Sequence, residues 1–220
     1  MSLAITAESE KQYYPVFLDI LSDIKGGVTI ATTNIPTSTL ELFAGTPLHK
    51  NASTAGLYNP VKTATLKRTL GTAACVCIYV YSANIPGVPG QNFKVGEYIM
   101  VDNRGTAVTI AAITIGTKTN GVGTDIILLT AGSGGLHCTA ITGTKLQQAL
   151  AGGLATGAAP LYKADCLLLD SIRVRKDDGT TLTNITAGAV TRGEVNESRM
   201  PFSAPTEAVK TPLTDRIRFV

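Results

Sequence analysis

Cys75-Val76-Cys77-Ile78-Tyr79-Val80-Tyr81 is an unbroken run of β-branched, aromatic and small apolar side chains. Such residues suit a pleated, half-buried surface better than a helix. The run therefore reads as a strand, with Cys75 and Cys77 on one face as small core side chains. Downstream, Asn84-Ile85-Pro86-Gly87-Val88-Pro89-Gly90 is a loop, because its prolines and glycines deny it regular pairing. Phe93-Lys94-Val95-Gly96-Glu97-Tyr98-Ile99-Met100-Val101 reads as a turn feeding a strand. Val108 to Ile115 and Asp125 to Thr130 flank a loop holding the tight-turn pair Asn120-Gly121, which predicts a hairpin with a long tip. Gly132-Ser133-Gly134-Gly135 closes the unit, and Leu146 to Leu150 is expected to form one helical turn.

Upstream, Tyr14, Phe17, Leu18, Leu21 and Ile24 recur at helical spacing within residues 8–25, with Pro15 in the first turn and Gly26-Gly27 as the stop. An extended reading competes, because Tyr13-Tyr14-Pro15-Val16-Phe17 favours strand. Val28 to Thr32 and Thr39 to Phe43 follow as short β segments. After the small-residue linker Ala151-Gly152-Gly153-Leu154-Ala155-Thr156-Gly157-Ala158 the character of the N-terminal part returns, and Pro160-Leu161-Tyr162-Lys163 echoes Pro47-Leu48-His49-Lys50. Cys166 to Val174, the turn Lys176-Asp177-Asp178-Gly179 and Thr180 to Ile185 make a hairpin, and Gly188 to Val195 a strand. The expected fold is mainly β with few short helices. Residues 1–70 plus 151–220 form one discontinuous domain, and 71–150 an inserted antiparallel β module.

Composition narrows the function. Of the 220 residues 44% are hydrophobic and 16% charged, too apolar a mixture for a disordered chain. The net charge is +3 and the basic residues are scattered; the densest run, Arg173-Val174-Arg175-Lys176, is followed at once by Asp177-Asp178. A nucleic-acid surface needs a basic stripe with stacking aromatics, so none is expected. No stretch reads as a signal peptide or approaches the roughly 20 apolar residues of a membrane span, so no membrane partner is expected. Synthesis in the cytoplasm would keep Cys75, Cys77, Cys138 and Cys166 reduced. Cys-x-Cys plus His137-Cys138 is not a zinc spacing.

Catalytic chemistry finds no foothold. Gly143-Thr144-Lys145 lacks the frame of a phosphate loop, and Gly132-Ser133-Gly134-Gly135 is no dinucleotide fingerprint. A hydrolytic triad would need His49 or His137 as base, and neither sits in a nucleophile-elbow context. Asp102, Asp125, Asp165 and Asp170 lie near strand ends, where capping and solvation are the default roles. Asp177-Asp178-Gly179 lacks the alternating ligands of a calcium loop. The expectation is no enzyme, no catalytic residue, no cofactor and no metal.

The C-terminal run Ala189-Val190-Thr191-Arg192-Gly193-Glu194-Val195-Asn196-Glu197-Ser198-Arg199-Met200-Pro201 is the most informative. A strand ending R-G-E-V-x-E-x-x-x-P resembles the end of head decoration proteins of tailed bacteriophages, the family of the lambda-type capsid-stabilising protein. Ala44-Gly45-Thr46-Pro47-Leu48 and Tyr58-Asn59-Pro60-Val61-Lys62 are similar to the segment that leads into that family's β domain. Phe93 to Tyr98 resembles modules of head-fibre-type proteins from phages of gut Bacteroidota. The resemblance implies a homotrimer on the outer capsid surface of a virion, with the major capsid protein as partner. This chain is longer, carries the 71–150 module and begins with an apolar segment, which leaves the attachment mode open, as it does any host-surface glycan partner.

Two alternatives stand beside it. Tail-fibre and baseplate subunits are β-rich as well. A carbohydrate-binding module would present aromatic platforms, which a chain with no Trp and 7 Tyr supplies sparingly. Tyr13, Tyr14, Phe17 and Leu21 are the candidate contact residues, with the capsid or between subunits, because large aromatics carry the most interface energy per residue; the competing reading is that Phe17 and Leu21 cap the domain's own core.

Overall fold

A computed structural model describes residues 16–33, 35–36, 39, 41–70, 76–81, 93–101, 104–116, 123–130, 144–150, 161–176, 178–200 and 207–220. In chain order the strands are β1 (Phe17–Asp23), β2 (Val28–Ile30), β3 (Glu41–Leu42), β4 (Pro47–Lys50), β5 (Leu57–Pro60), β6 (Thr63–Thr65), β7 (Cys77–Tyr81) and β8 (Tyr98–Val101). They continue as β9 (Arg104–Thr114), β10 (Thr124–Leu129), β11 (Lys145–Gln148), β12 (Cys166–Leu168), β13 (Ile172–Arg173), β14 (Ile185–Ala187), β15 (Ala189–Val195) and β16 (Ile217–Phe219). Helix among the described residues is confined to short turns, the α-turn α1 (Glu207–Lys210) and 3-10 turns at Glu197–Arg199 and Thr211–Leu213. The chain is mainly β.

The middle of the chain builds a six-stranded antiparallel sheet in the order β6-β11-β8-β9-β10-β7. Its outer strands also meet. Leu66 and Val80 form an antiparallel bridge, and the Lys67 N–H donates to the Tyr79 carbonyl at 2.8 Å. The sheet thus curls into a small barrel joined at this bridge, which shortens the edges its outer strands would otherwise expose. Strand alternation fills the interior: Ile78 and Val80, Val108 and Ile110, Ile127 and Leu129 point inward around the buried Phe93. The predicted hairpin is β9 against β10, with Ile126 opposite Thr114. Cys77, expected in the core, is only half-buried, because Ile78 and Val80 hold the inward positions of its strand.

The flanking segments build an eight-stranded mixed sheet along the path β1-β15-β12-β4-β5-β2-β14, with β16 parallel to β15. β1 runs into β2 through a turn at Lys25-Gly26, and β14 runs into β15 through Gly188. The two ends of the path are therefore halves of one long ribbon, and the sheet curls into a half-barrel. The bend depends on Gly27, which has φ +74° and would bring a Cβ to 2.6 Å from the Ala187 carbonyl oxygen. Ile30, Leu42, Leu48, Leu168, Val174 and Ala189 fill the inside. A further cluster of Val195, Met200, Val209, Leu213 and Ile217 packs where α1 and β16 cover β15.

Three local expectations are corrected. The helical reading of residues 8–25 fails where it can be compared, since Phe17–Asp23 is a strand; residues 8–15 lie outside the described residues. Leu146 belongs to the strand Lys145–Gln148, whose partners β6 and β8 satisfy its backbone in place of a helical turn. The turn at 176–179 exists, with the Lys176 N–H on the Thr180 carbonyl at 2.9 Å and Arg175 bridged to Thr181. The arms pair as a hairpin only next to the turn, where the Leu182 N–H also donates to the Val174 carbonyl at 3.0 Å; farther out β12 pairs with β4 and β15, β13 with β3, and β14 with β2. Sheet membership changes between Pro60 and Thr63, ahead of the composition change at Gly71, because β6 pairs with β11.

Candidate functional site

β1 pairs with β15 on one side, and among the described residues no strand pairs with its other edge. Phe17 stands opposite Val195, Asp19 opposite Glu194, Ile20 opposite Gly193 and Ser22 opposite Arg192. Leu18 and Leu21 fall at the register shifts between these pairs, each an extra residue in a β-bulge. A bulge re-aims its side chain and increases local twist. Here it turns both leucines to solvent: Leu18 is 52% exposed and Leu21 70%, with Ile20 beside them at 45%. Asp19 and Asp23 flank them, also exposed.

The candidate contact residues fall into separate situations. Tyr13 and Tyr14 lie outside the described residues. Phe17 is half-buried and packs on the Val195, Met200 and Ile217 cluster, so it serves the protein's own core. Leu21 points away from the body. Leu18 and Ile20, which share its exposure, were not singled out from sequence. Strand pairing with two bulges would have been needed to see that they face outward.

The strand beneath this surface carries the R-G-E-V run. Arg192 is exposed, and the Arg218 guanidinium approaches Glu194 at 3.4 Å on the surface. A Cβ at 193 would lie 2.3 Å from the Asp19 carbonyl oxygen, so only glycine lets β1 lie this close.

The titratable residues noted in sequence are dispersed. The His49 Nδ1 lies 2.8 Å from the Lys163 carbonyl and 3.0 Å from the Asp165 carboxylate, with its ring stacked on Tyr162 at 4.9 Å. The echoing Pro-Leu-x-Lys segments therefore meet in space. None of the described contacts brings a hydroxyl or thiol to this ring. Asp165 also accepts the Lys50 N–H at 2.8 Å, and the buried Asp125 accepts the Gly116 N–H at 3.2 Å; both tie backbone together. Cys166 is buried, and desolvation, reinforced by Asp165, pushes its thiol up to about 12. Asp102, His137, Cys75 and Cys138 lie outside the described residues. Among the described residues no group of His, Cys, Asp and Glu is placed to hold a metal ion, and no helix is long and apolar enough to cross a membrane.

Sequence reading missed the buried cations. Lys62 is 2% exposed and pairs with Glu97; burial lowers its ammonium pKa, and Glu97 opposes that shift. Lys210 pairs with Glu197 at 2.8 Å and lies over the Phe219 ring. Arg175, 4% exposed, ties the 36–39 segment to the 176–181 turn. Sequence distance hides all three pairings.

No family model matches the chain, and neither a curated protein nor a solved structure matches it.

Proposed function

We propose that this chain is a structural virion protein that decorates and stabilises the outside of a phage capsid, with the major capsid protein as partner and a homotrimer as its working form. The observation that carries the reading is the outer strand β1, whose exposed Leu18, Ile20 and Leu21 lie against the strand bearing the R-G-E-V run. A shell protein holds on through many moderate apolar contacts, and burying such leucines is worth roughly 1.5–3 kcal/mol each. The two bulges disfavour simple edge-to-edge strand pairing. Attachment therefore runs through leucine side chains seated in a partner's pockets, more than through a continued ladder.

The test is cryo-electron microscopy of the particles. Density for this chain on the outer shell, clustered about symmetry axes with β1 toward the shell or a sister subunit, is the expected result. Finding it only on the tail or baseplate, or not in the particle, overturns the proposal.

A further inference from the structure

The densest basic run of the chain is also the wall of a cavity. Arg173, Arg175, Lys176, Asp178 and Leu182 line an open depression of about 550 Å3 beside the β3–β13 pair. Arg175 is the fixed element. Its Nε–H donates to the Thr39 carbonyl at 3.0 Å, one Nη2 hydrogen to the Pro36 carbonyl at 2.9 Å, and Nη1 to the Gly179 carbonyl and the Thr181 hydroxyl. A guanidinium has five N–H groups, so among the described residues one Nη2 hydrogen is left over for a ligand. These partners are dipoles, and among the described residues none of them is a carboxylate. A buried cation held this way has met its desolvation cost during folding and keeps its charge for an incoming anion. Arg173 and Lys176 are exposed and can close over such a group. Among the described residues the lining holds three cations against one carboxylate, and Asp178 is fixed by accepting the Thr180 N–H at 2.8 Å.

We infer that this cavity is a binding site for a dianionic phosphate group, free or carried as a phosphomonoester. Among the described residues cations outnumber carboxylates in the lining, which suits a phosphomonoester, a group that bears roughly −1.5 to −2 at neutral pH. The depression is large enough to admit the group that carries the phosphate, since small-molecule pockets begin near ~300 Å3. Leu182 offers that group an apolar wall.

The experiment is calorimetric titration of the full chain with inorganic phosphate and, separately, with glucose 6-phosphate, against sodium chloride at matched ionic strength. Arg175→Lys risks the fold, so the informative variants are the surface pair Arg173→Gln/Lys176→Gln and, separately, Asp178→Asn, which keeps the Thr180 hydrogen bond. Binding of either phosphate is expected, weakened about tenfold or more in the double variant, the scale of one charge-assisted hydrogen bond. Asp178→Asn is expected to tighten it. Tighter binding of glucose 6-phosphate supports a carried phosphate, and equal affinities support the free ion. Absence of binding by both ligands, or affinity unchanged in the double variant, overturns the inference.

Discussion

Gly193 and Asp19 touch backbone to backbone: a Cβ at 193 would lie 2.3 Å from the Asp19 carbonyl oxygen, so the second residue of the R-G-E-V run has to be glycine. A Gly193→Ala variant must push β1 away from β15. The expected cost is about 1–3 kcal/mol, in the range of other overpacked positions. Urea denaturation measures it. Hydrogen exchange should show faster exchange confined to residues 17–23, and unchanged protection there would contradict the packing argument.

Leu18 and Leu21 contribute little to the subunit's own stability, because they are among its most exposed apolar side chains. Leu18→Ser/Leu21→Ser should leave the monomer's stability within about 0.5 kcal/mol of the parent, as surface substitutions do. The same variant should lose self-association in sedimentation and fail to bind undecorated shells. A variant that assembles and binds normally would remove β1 from the interface.

Glu97 and Lys62 are unequal partners. The Lys62 side chain is 3% exposed and that of Glu97 17%, and Glu97 also accepts the Lys94 N–H at 2.8 Å. Glu97→Gln strands a buried ammonium and should cost about 3 kcal/mol. Lys62→Met leaves a carboxylate that keeps a donor and reaches water, and should cost clearly less. Thermal denaturation of both variants gives the order, and a reversed order would mean that Glu97 is the more deeply desolvated charge.

The barrel begins and ends at neighbouring points, since the Gln148 N–H donates to the Lys62 carbonyl at 3.2 Å. Excising 63–148 and joining the ends through a short Gly/Ser linker should leave a folded half-barrel with β circular dichroism. Excising 72–150 should do worse, because it strands β6 without β11 and bares Leu66 and Leu70, both buried in the barrel. An insoluble product from the first excision and a soluble one from the second would reverse the assignment of β6.

Cys166 sets an alkaline limit. Its thiol pKa rises from an ordinary value of 9.0 to about 12 in the folded chain. Between these values the unfolded chain has released a proton that the folded chain still holds. Stability therefore falls as pH rises through this window, by up to about 1.4 kcal/mol per pH unit. Cys166→Ala should lower stability at neutral pH but flatten the decline between about pH 9 and pH 11 in urea titrations. A slope identical to that of the parent would assign the decline to other groups.

β7 was legible as a strand from its β-branched and aromatic run, but not its facing: Ile78 and Val80 point inward, whereas Cys77 was expected in the core. β1 was not, and the reason is physical. Each bulge inserts one residue, so Leu18 and Leu21 interrupt the alternation and the apolar residues recur about every third position, which imitates a helix. β11 was hidden differently, since Gln147 and Gln148 are buried where an apolar pattern was sought. At the candidate site, sequence left Phe17 and Leu21 open between a contact surface and the domain's own core, and only strand register shows that Leu21 is exposed. Phe17 went to the core because β16 and the 3-10 turn at Thr211–Leu213, nearly 200 residues away in sequence, supply partners for it.

The half-barrel's ribbon joins Phe17 to Val195, so β1 finds its partner about 180 residues later in synthesis. At roughly 5–20 residues per second on the ribosome, β1 waits on the order of 10 to 35 s before β15 exists. Throughout that interval it is an unpaired apolar strand, close to other nascent chains on the same message. The irregular register of β1 acts during this time as well as afterwards: a strand with two extra residues is a poor template for a copy of itself. It reaches its partner only once β15 has been made.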